Sequence, residues 1–249
     1  MSNVTRKPWT REELILAINL YCKIPFGRIH VRNPDIIKLS ELLNRTPGSV
    51  SYKLANFASI DPSLDRKGAS NVSKLDKEVW NDFYNDWEKM AFESEQKAFE
   101  ICGKRIGEAE KIEIPEGKTT ESIIKTRVNQ SFFRKMILSS YNSKCCITGL
   151  PVEKLLVASH IIPWAQDTQN RLNPQNGLCL NALHDKAFDI GLITIDESYC
   201  VVISTEIRNL NSTKAKMILD YEGITMTMPN RFIPSQEFLS YHREKIFIS

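Results

Sequence analysis

The segment CCITGLPVEKLLVASHIIPWAQDTQNRLNPQNGLCLNALHDKAFDIGLITID spans residues 145–196. Its run LLVASHII, at residues 155–162, has the apolar content of a β-strand and carries His160 just before a Pro-Trp turn. A polar loop follows, then Asn176-Gly177, then a stretch with helical potential that contains His184. The pattern predicts a strand, a polar loop and a helix, with one histidine on the strand and another on the helix.

The sequence on either side predicts further elements of a mixed domain. Beyond Asp189, the runs GLITID and YCVVIS alternate around residues 196–198, which predicts a hairpin that extends the sheet. Upstream, residues 121–140 predict a helix whose inner face carries Ile124, Val128 and Phe132.

The composition of the whole chain excludes several classes of protein. Its 249 residues are 42% hydrophobic and 25% charged, which suits one large domain or two smaller ones. No apolar run approaches the ~18 residues of a membrane span, and the N-terminus lacks the apolar core of a secretory signal. The six cysteines do not form a disulfide framework, so we expect reduced thiols in a cytoplasmic protein without a membrane partner. Motifs for phosphate-cradling loops, serine nucleophiles and dinucleotide binding are missing.

Charge is distributed unevenly along the chain. Residues 1–74 contain 12 Lys and Arg against 6 Asp and Glu, residues 75–116 contain 6 against 12, and residues 117–249 contain 15 against 12. A basic head and a mildly basic tail around an acidic middle are consistent with two ends that face a polyanion. Chance segregation of solvated charges gives the same statistic and stays open as the alternative.

The first 60 residues predict three short helices. Thr10 with Glu13 forms a capping box, and Asn33-Pro34 and Thr46-Pro47 have the cap-then-proline pattern that opens a helix. A tight turn at residues 44–46 between two helices gives a helix-turn-helix outline. The segment also resembles Myb-related three-helix DNA-binding domains.

The third of these helices is the expected recognition helix. Small and hydrogen-bonding side chains near a helix N-terminus suit close approach to a major groove, and basic side chains suit phosphates. The alternative is a paired-helix unit that touches no DNA. The residues expected on the outward, DNA-contacting surface are Arg45, Ser49, Ser51, Tyr52, Lys53 and Asn56.

Residues 74–102 predict one long helix with an aromatic face. That face is typical of a protein core, and a homodimer seam is the alternative. Residues 103–119 are charged and contain Gly and Pro, which predicts an interdomain linker. We therefore expect a helical domain at residues 1–102, a linker at residues 103–119 and a second domain at residues 120–249.

Several anchors across residues 120–249 resemble the HNH, or ββα-metal, endonucleases, most of all the branch found in bacterial restriction enzymes. Ala-x-His-Ile-x-Pro-Trp is followed by an arginine, then Asn-Gly-Leu-x-Leu, then His-Asp-x-x-Phe-Asp, all in register. The N-terminal helices are similar to the recognition half that precedes this nuclease in some restriction enzymes. Upstream residues that fit the same branch are Arg127, Gln130, Phe133, Arg134 and residues 145–149.

The resemblance implies a role for each motif residue. His160 matches the general base, and His184 matches a position that usually binds the metal. Asn176 matches the residue whose side chain braces the loop that aims the base. Arg171 suits a phosphate oxygen through its planar fork. These residue types fit phosphodiester hydrolysis, which needs an activated water, a cation on the phosphate and help for the leaving oxygen.

The chain departs from the family at the expected metal site. Many relatives have Asp or His immediately before the general base, where this chain has Ser159. The second ligand is therefore expected from Asp185, with Asp189 as the other candidate. The expected cofactor is a divalent ion, Mg²⁺ or Mn²⁺. No structural zinc is expected, because the chain has no Cys-x-x-Cys pair.

The sequence thus predicts an α+β protein with an N-terminal helix-turn-helix-like domain and a C-terminal ββα-metal HNH nuclease domain. The expected function is restriction-type, metal-dependent cleavage of double-stranded DNA by a homodimer. The enzyme reads either unmodified DNA or 5-methylcytosine DNA, with Tyr52 or Trp9 as the contact for the extra methyl group. The alternatives are a DNA-binding regulator with an inactive HNH fold and a non-specific or RNA-directed nuclease.

Overall fold

A computed structural model describes residues 7–64, 69, 71–101, 120–210 and 213–249, with backbone alone at residues 120–123 and 214. The chain divides into two compact units. Unit 1 comprises Met1–Cys22 and Gly27–Asn129, and unit 2 comprises Lys23–Phe26 and Gln130–Ser249. The division falls inside a helix, whereas the sequence predicts it before that helix. The predicted linker at residues 103–119 and the predicted helix end at Cys102 lie outside the described residues.

The described part of unit 1 is helical. Each predicted helix cap is present, because every one depends on residues only two or three positions apart. Thr10 and Glu13 bond reciprocally, Asn33 accepts from the Asp35 amide, and Thr46 accepts from the Ser49 amide. The helices are α1 (Arg11–Lys23), α2 (Pro34–Leu42), α3 (Pro47–Ile60), α4 (Lys74–Asn85) and α5 (Trp87–Ile101), and α6 (Thr120–Ser140) runs into unit 2.

The single long helix predicted at residues 74–102 is wrong. The chain leaves helical geometry at Asp86, where φ is −149° and ψ is 78°, so α4 ends before it. The Asp86 carboxylate then accepts a hydrogen bond from the Lys89 amide at 2.9 Å and caps α5. Asp86, an acidic residue on the polar side of the predicted helix, thus follows the end of α4 and caps the start of α5.

The aromatic face of α4 and α5 lies in the core of unit 1. Trp80 contacts the ring of Tyr21 at 5.7 Å and stacks with Phe57 at 6.0 Å between ring centroids. The alternative that this face forms a dimer seam is therefore wrong, because its side chains are already covered within one chain. The residues expected on that face are all buried: Val79, Trp80, Phe83, Trp87 and Met90.

Unit 2 contains a two-stranded antiparallel sheet followed directly by a helix. β1 (Leu156–His160) pairs with β2 (Gly177–Asn181), and α7 (Ala182–Asp189) begins at the next residue. His160 lies opposite Gly177 in the register. Gly177 is required there by close packing, because a Cβ atom would lie 2.8 Å from Cζ of Phe133 on α6.

The predicted hairpin after Asp189 is present, but it does not extend the first sheet. β3 (Ile193–Ile195) and β4 (Val201–Ile203) pair only with each other, in a separate antiparallel sheet. Three short helices complete the described part of unit 2: α8 (Thr205–Arg208), α9 (Lys216–Leu219) and α10 (Gln236–Lys245). Across the described ranges, no helix is long and apolar enough to cross a membrane.

Candidate active site

His160 ends β1 and is fixed by contacts on two sides. Its ring stacks on Phe133 of α6, with centroids 4.1 Å apart and planes 12° apart, and it meets Trp164 edge-on. Its Nε2 lies 2.9 Å from the carbonyl oxygen of Arg171. A carbonyl oxygen only accepts, so Nε2 carries the proton in this contact. The neutral ring is then left with Nδ1 as its basic nitrogen.

The surroundings of His160 favour its neutral form. Burial lowers the pKa of His160 below its ordinary value, and the hydrogen bond to the Arg171 carbonyl offsets part of that shift. A neutral imidazole at physiological pH is the form that accepts a proton from water.

Asn176 braces the loop that follows His160. Its side chain is fully buried, and Oδ1 accepts from the Ile162 amide at 2.8 Å. Its Nδ2 donates to the carbonyl oxygens of Ile162 at 3.2 Å and Asn170 at 3.3 Å. The two ends of the loop between the strands are therefore held by a single side chain. This geometry explains how Asn176 can influence His160 without touching it.

Arg171 belongs to the same loop. Its carbonyl oxygen orients His160, and its guanidinium lies 5.2 Å from the ring centroid of Trp164. The main chain and the side chain of Arg171 thus have separate tasks. The first fixes the tautomer of the histidine, and the second places a planar cation beside the same loop.

His184, in the first turn of α7, is oriented by a helix cap. Asn181 Oδ1 accepts from the His184 amide and lies 3.0 Å from His184 Nδ1. Asn181 Nδ2 donates to Thr148, which fixes which end of the amide faces the histidine. Nδ1 therefore carries the proton. The lone pair is on Nε2, which is buried and has no hydrogen-bond partner among the described residues.

Two carboxylates follow on the same helix. Burial raises the pKa of Asp185, while the hydroxyl of Ser159 and the charge of Lys186 act in the opposite direction. Burial also raises the pKa of Asp189, and the negative charge of Asp185 raises it further. The Ser159 hydroxyl on β1 lies near Asp185 but is buried without a hydrogen-bond partner among the described residues.

The residues on α7 fit part of a divalent cation site. Within the described ranges, no three His, Cys, Asp or Glu side chains converge to form a ligand group. The unpartnered Nε2 of His184 is nevertheless a ligand atom in the required tautomer, and the Asp185 carboxylate is its neighbour in sequence. Magnesium is commonly held by only one or two protein ligands plus water and substrate phosphates. His184 Nε2 is therefore one suitable ligand atom, whereas Asp185, as the adjacent helical residue, does not share its helix face.

The structure differs from the sequence prediction at three of the expected DNA-contacting residues. Lys53 was expected to face outward, but it is 7% exposed and binds both carboxylate oxygens of Asp76 at 2.8 Å. Asn56 is 2% exposed and donates to the carbonyl oxygen of Asn71. An unpaired buried ammonium is so costly that Lys53 requires its acidic partner.

Arg45 is also engaged within unit 1. Its side chain is 6% exposed and forms an ion pair with Glu13 at 2.6 Å. Its guanidinium also donates to the carbonyl oxygens of Lys7 and Pro8, and it stacks 4.1 Å from the ring centroid of Trp9. Of the six expected residues, only Ser49, Ser51 and Tyr52 keep accessible side chains.

The sequence interpretation assigns no site role to two residues that shape the site. Asn181 sets the tautomer of His184, and Phe133 provides the surface on which His160 stacks. The signal for Asn181 was present, because an Asn three residues before a helical His is an N-cap pattern. The contact of Phe133 depends on the packing of α6 and leaves no local signal.

Three cysteines of unit 2 occupy its core, whereas Cys200 is partly exposed. Cys145, Cys146 and Cys179 are buried with free thiols. Burial raises the pKa of Cys146 well above its ordinary value and that of Cys179 to about 12. Groups in this state are poor nucleophiles and act as small packing residues.

A comparison with protein-family models matches residues 145–196 to the family described as HNH endonuclease. A comparison with curated proteins finds no match. The matched segment holds β1, β2 and α7 together with His160, Asn176 and His184. Residues 145–196 are therefore similar to HNH endonucleases, and this segment has a strand–strand–helix order.

Proposed function

We propose that this protein is a metal-dependent DNA endonuclease of restriction type, in which unit 1 reads the DNA and unit 2 cuts it. The observation that carries the proposal is a pair of oriented neutral imidazoles. His160 keeps Nδ1 as its basic nitrogen, and His184 keeps an unpartnered Nε2. One imidazole therefore suits proton transfer and the other suits a cation.

In the proposed reaction, a water oxygen attacks the phosphorus atom and His160 Nδ1 takes the water proton. The bond between phosphorus and one ester oxygen breaks, and that oxygen leaves and is protonated from solvent. Asn176 keeps the loop in the shape that aims His160, and Arg171 neutralises a non-bridging phosphate oxygen. His184 Nε2 is the ligand atom that would hold a divalent cation, with Asp185 as the candidate for a second ligand. Such a cation, Mg²⁺ or Mn²⁺, supplies charge stabilisation at the phosphoryl and leaving oxygens.

A single HNH site cuts one strand, so a double-strand break calls for two copies of the chain. We propose a homodimer on a near-palindromic site for that reason. Unit 1 is the proposed source of sequence or modification specificity. Tyr52 is 49% exposed on α3 and offers an aromatic surface to a base or its methyl group.

A second candidate function is a DNA-binding regulator with an inactive HNH fold. The specific observation that favours it is Ser159, because a hydroxyl replaces the acid or histidine that many relatives place before the general base. The described part of unit 2 correspondingly offers fewer than three converging ligands. A regulator binds DNA with either metal present and leaves it intact.

A cleavage assay separates these functions. One plasmid is prepared unmodified and with 5-methylcytosine in several contexts, and is incubated with Mg²⁺ or Mn²⁺ and the unaltered protein or His160→Ala. Discrete fragments from either form, absent with His160→Ala, support the restriction-type nuclease. Fragments only from the methylated form support modification dependence. Binding of both forms without cleavage supports the regulator.

A further inference from the structure

Unit 1 contains an open pocket that the proposed cleavage chemistry does not use. Its volume is about 990 Å³, and it lies beside the N-terminal half of α3. Small-molecule sites in proteins commonly have volumes of roughly 300–1,000 Å³. The lining residues used below are Lys7, Trp9, Tyr52, Lys53, Asn56 and Asn71.

One polar atom of a buried residue that lines this pocket has no hydrogen-bond partner among the described residues. Asn56 is 2% exposed, and its Nδ2 donates to the carbonyl oxygen of Asn71 at 3.0 Å. Its Oδ1 is buried and accepts no hydrogen bond from the described residues. Leaving a buried acceptor unpaired destabilises a protein, so this atom points to a ligand that brings an N–H donor.

Tyr52 adds a complementary donor on the same helical face. Asn56 follows it by four residues, and side chains at this spacing are neighbours on a helix. The Tyr52 hydroxyl accepts from Asn71 Nδ2 at 3.1 Å, so its own proton remains available to an acceptor. Its ring is 49% exposed and offers a stacking surface. The pocket therefore presents an acceptor and a donor next to an aromatic face.

Two cations of the pocket hold an aromatic side chain in its wall, and a third lies at its entrance. Trp9 lies 4.1 Å from the Arg45 guanidinium and 5.4 Å from Lys53 Nζ, measured to its ring centroid. Those two cations are held by Glu13 and Asp76 and serve to fix the aromatic wall. Lys7 shares Glu13 with Arg45, and its side chain is 57% exposed. The entrance thus keeps positive charge where a phosphate would approach.

We infer that this pocket binds a single nucleobase extruded from DNA, of the kind that carries an exocyclic amino group, as cytosine and adenine do. The amino group donates to Asn56 Oδ1 and the ring stacks on Tyr52, whose hydroxyl proton stays available to a sugar or phosphate oxygen of the same strand. Proteins that read extruded bases use this combination of polar edge contacts and aromatic stacking. The inference rests on the proposed function, since it assigns the DNA-reading role to one pocket of unit 1.

A binding experiment tests the pocket with the full chain carrying His160→Ala, which removes cleavage. The probes are duplexes of one sequence in which a single central position carries unpaired cytosine, unpaired adenine or an abasic residue, so that extrusion costs little. Stacking of one base contributes enough to predict about tenfold tighter binding of the cytosine or adenine duplex than of the abasic duplex. Free 5′-dCMP is titrated in parallel to separate a DNA-borne base from a free nucleotide.

Two variants test whether the preference for base-containing duplexes depends on the pocket. Asn56→Leu removes the buried acceptor, and Tyr52→Ala removes the half-exposed stacking ring with little effect on the core. Both are expected to bind all duplexes equally, at the abasic level. Ser59→Ala is the matched control, because Ser59 lies on the same helix outside the pocket lining, and it is expected to keep the tenfold preference. Thermal unfolding of each variant verifies that unit 1 remains folded.

The inference is overturned if the unaltered pocket binds abasic and base-containing duplexes equally, or if both pocket variants keep the preference. It is also overturned if free 5′-dCMP binds as tightly as the cytosine duplex. Plasmid cleavage by the protein with an intact His160 separates the two claims. Cleavage without a base preference removes the pocket assignment alone, whereas failure to bind or cut any duplex removes the proposed function as well.

Discussion

Asn181 Oδ1 lies 3.0 Å from His184 Nδ1, and this contact decides which nitrogen of His184 is available to a cation. The same oxygen caps α7 by accepting from the Leu183 and His184 amides. The start of the helix and the chemistry of its histidine are therefore set by one atom. Partners of this kind beyond the ligand shell commonly change metal affinity by about 10–100-fold when removed.

Asn181→Ala is accordingly expected to weaken Mn²⁺ binding by about 10–100-fold, because His184 loses the acceptor that fixes its tautomer. Asn181→Asp keeps an oxygen acceptor and is expected to restore most of the affinity. Isothermal titration calorimetry with Mn²⁺ measures both. Equal affinity of the alanine variant and the unaltered protein would show that the cap does not orient a ligand.

The pH dependence of cleavage should follow His160. Because burial lowers its pKa, the neutral base form persists at pH values below the ordinary histidine range. The rate at saturating metal is expected to hold its plateau at pH values where an ordinary histidine is already partly protonated, and to fall only on further acidification. Single-turnover cleavage across this range measures the profile. A fall that is already complete at pH 7 contradicts the assignment of His160 as a desolvated base.

His242 should make unit 2 sensitive to acid. It stacks on Phe188 and contacts Thr194, and burial lowers its pKa to about 4 from the ordinary value of 6.5. The unfolded chain then binds a proton that the folded chain excludes. Stability from this group is complete above pH 6.5 and falls as the pH drops toward 4, by roughly 3 kcal/mol in all.

Urea unfolding at several pH values measures this slope. His242→Gln is expected to flatten the pH dependence between 4 and 6.5, even though its lost packing lowers stability at every pH. His30→Gln provides the control at an exposed histidine of unit 1 and should retain the slope. A His242→Gln protein with the unaltered slope would assign the acid sensitivity to another group.

Because Lys53 and Asp76 form a buried ion pair, a substitution at either residue is expected to lower the stability of unit 1 and not merely to remove a DNA contact. Asp76→Ala leaves the buried ammonium without its partner and removes the carboxylate that accepts from the Ser73 amide. It is expected to destabilise unit 1 by about 3–5 kcal/mol. Glu78→Ala breaks only the exposed pair with Lys74 and should cost less than about 1 kcal/mol. Similar denaturation midpoints for the two variants would contradict the buried pair.

Gly177 tests the packing behind His160. Gly177→Ala is expected to destabilise unit 2 by about 1–3 kcal/mol, because its Cβ would collide with Phe133 and Ile137 on α6. Gly27→Ala is the control, since nothing lies within 4 Å of its added Cβ. Thermal unfolding measures both, and an unchanged Gly177→Ala protein would show that α6 does not press against β2.

The sequence predicts features whose determinants lie close together along the chain. The caps at Thr46 and Ser73 depend on amides three residues away, and the strand-to-helix order of residues 156–189 follows from hydrophobic pattern and turn residues. These interactions join residues that are close in sequence, so a local pattern suffices to find them.

Features set by distant residues were not predictable. Lys53 and Asp76 are 23 positions apart, and Asn56 meets Asn71 across a loop, so an outward helix surface was expected where the structure has a pocket wall. The alternating pattern predicts that β3 and β4 are strands. It does not indicate whether they join the sheet of β1 and β2 or form a separate one, as they do. Tertiary pairing decided each of these cases against the local pattern.

The most direct measurement of the central claim compares cleavage and binding in the same samples. Supercoiled plasmid, unmodified or methylated, is mixed with the unaltered protein or His160→Ala in Mn²⁺. The conversion of supercoiled plasmid to nicked or linear DNA and the amount of protein–DNA complex are both quantified. We predict nicked or linear product with the unaltered protein, and a loss of about 10²–10⁴-fold in rate with His160→Ala at unchanged DNA affinity. Cleavage of equal rate by His160→Ala would contradict the role of His160 and the site built around it.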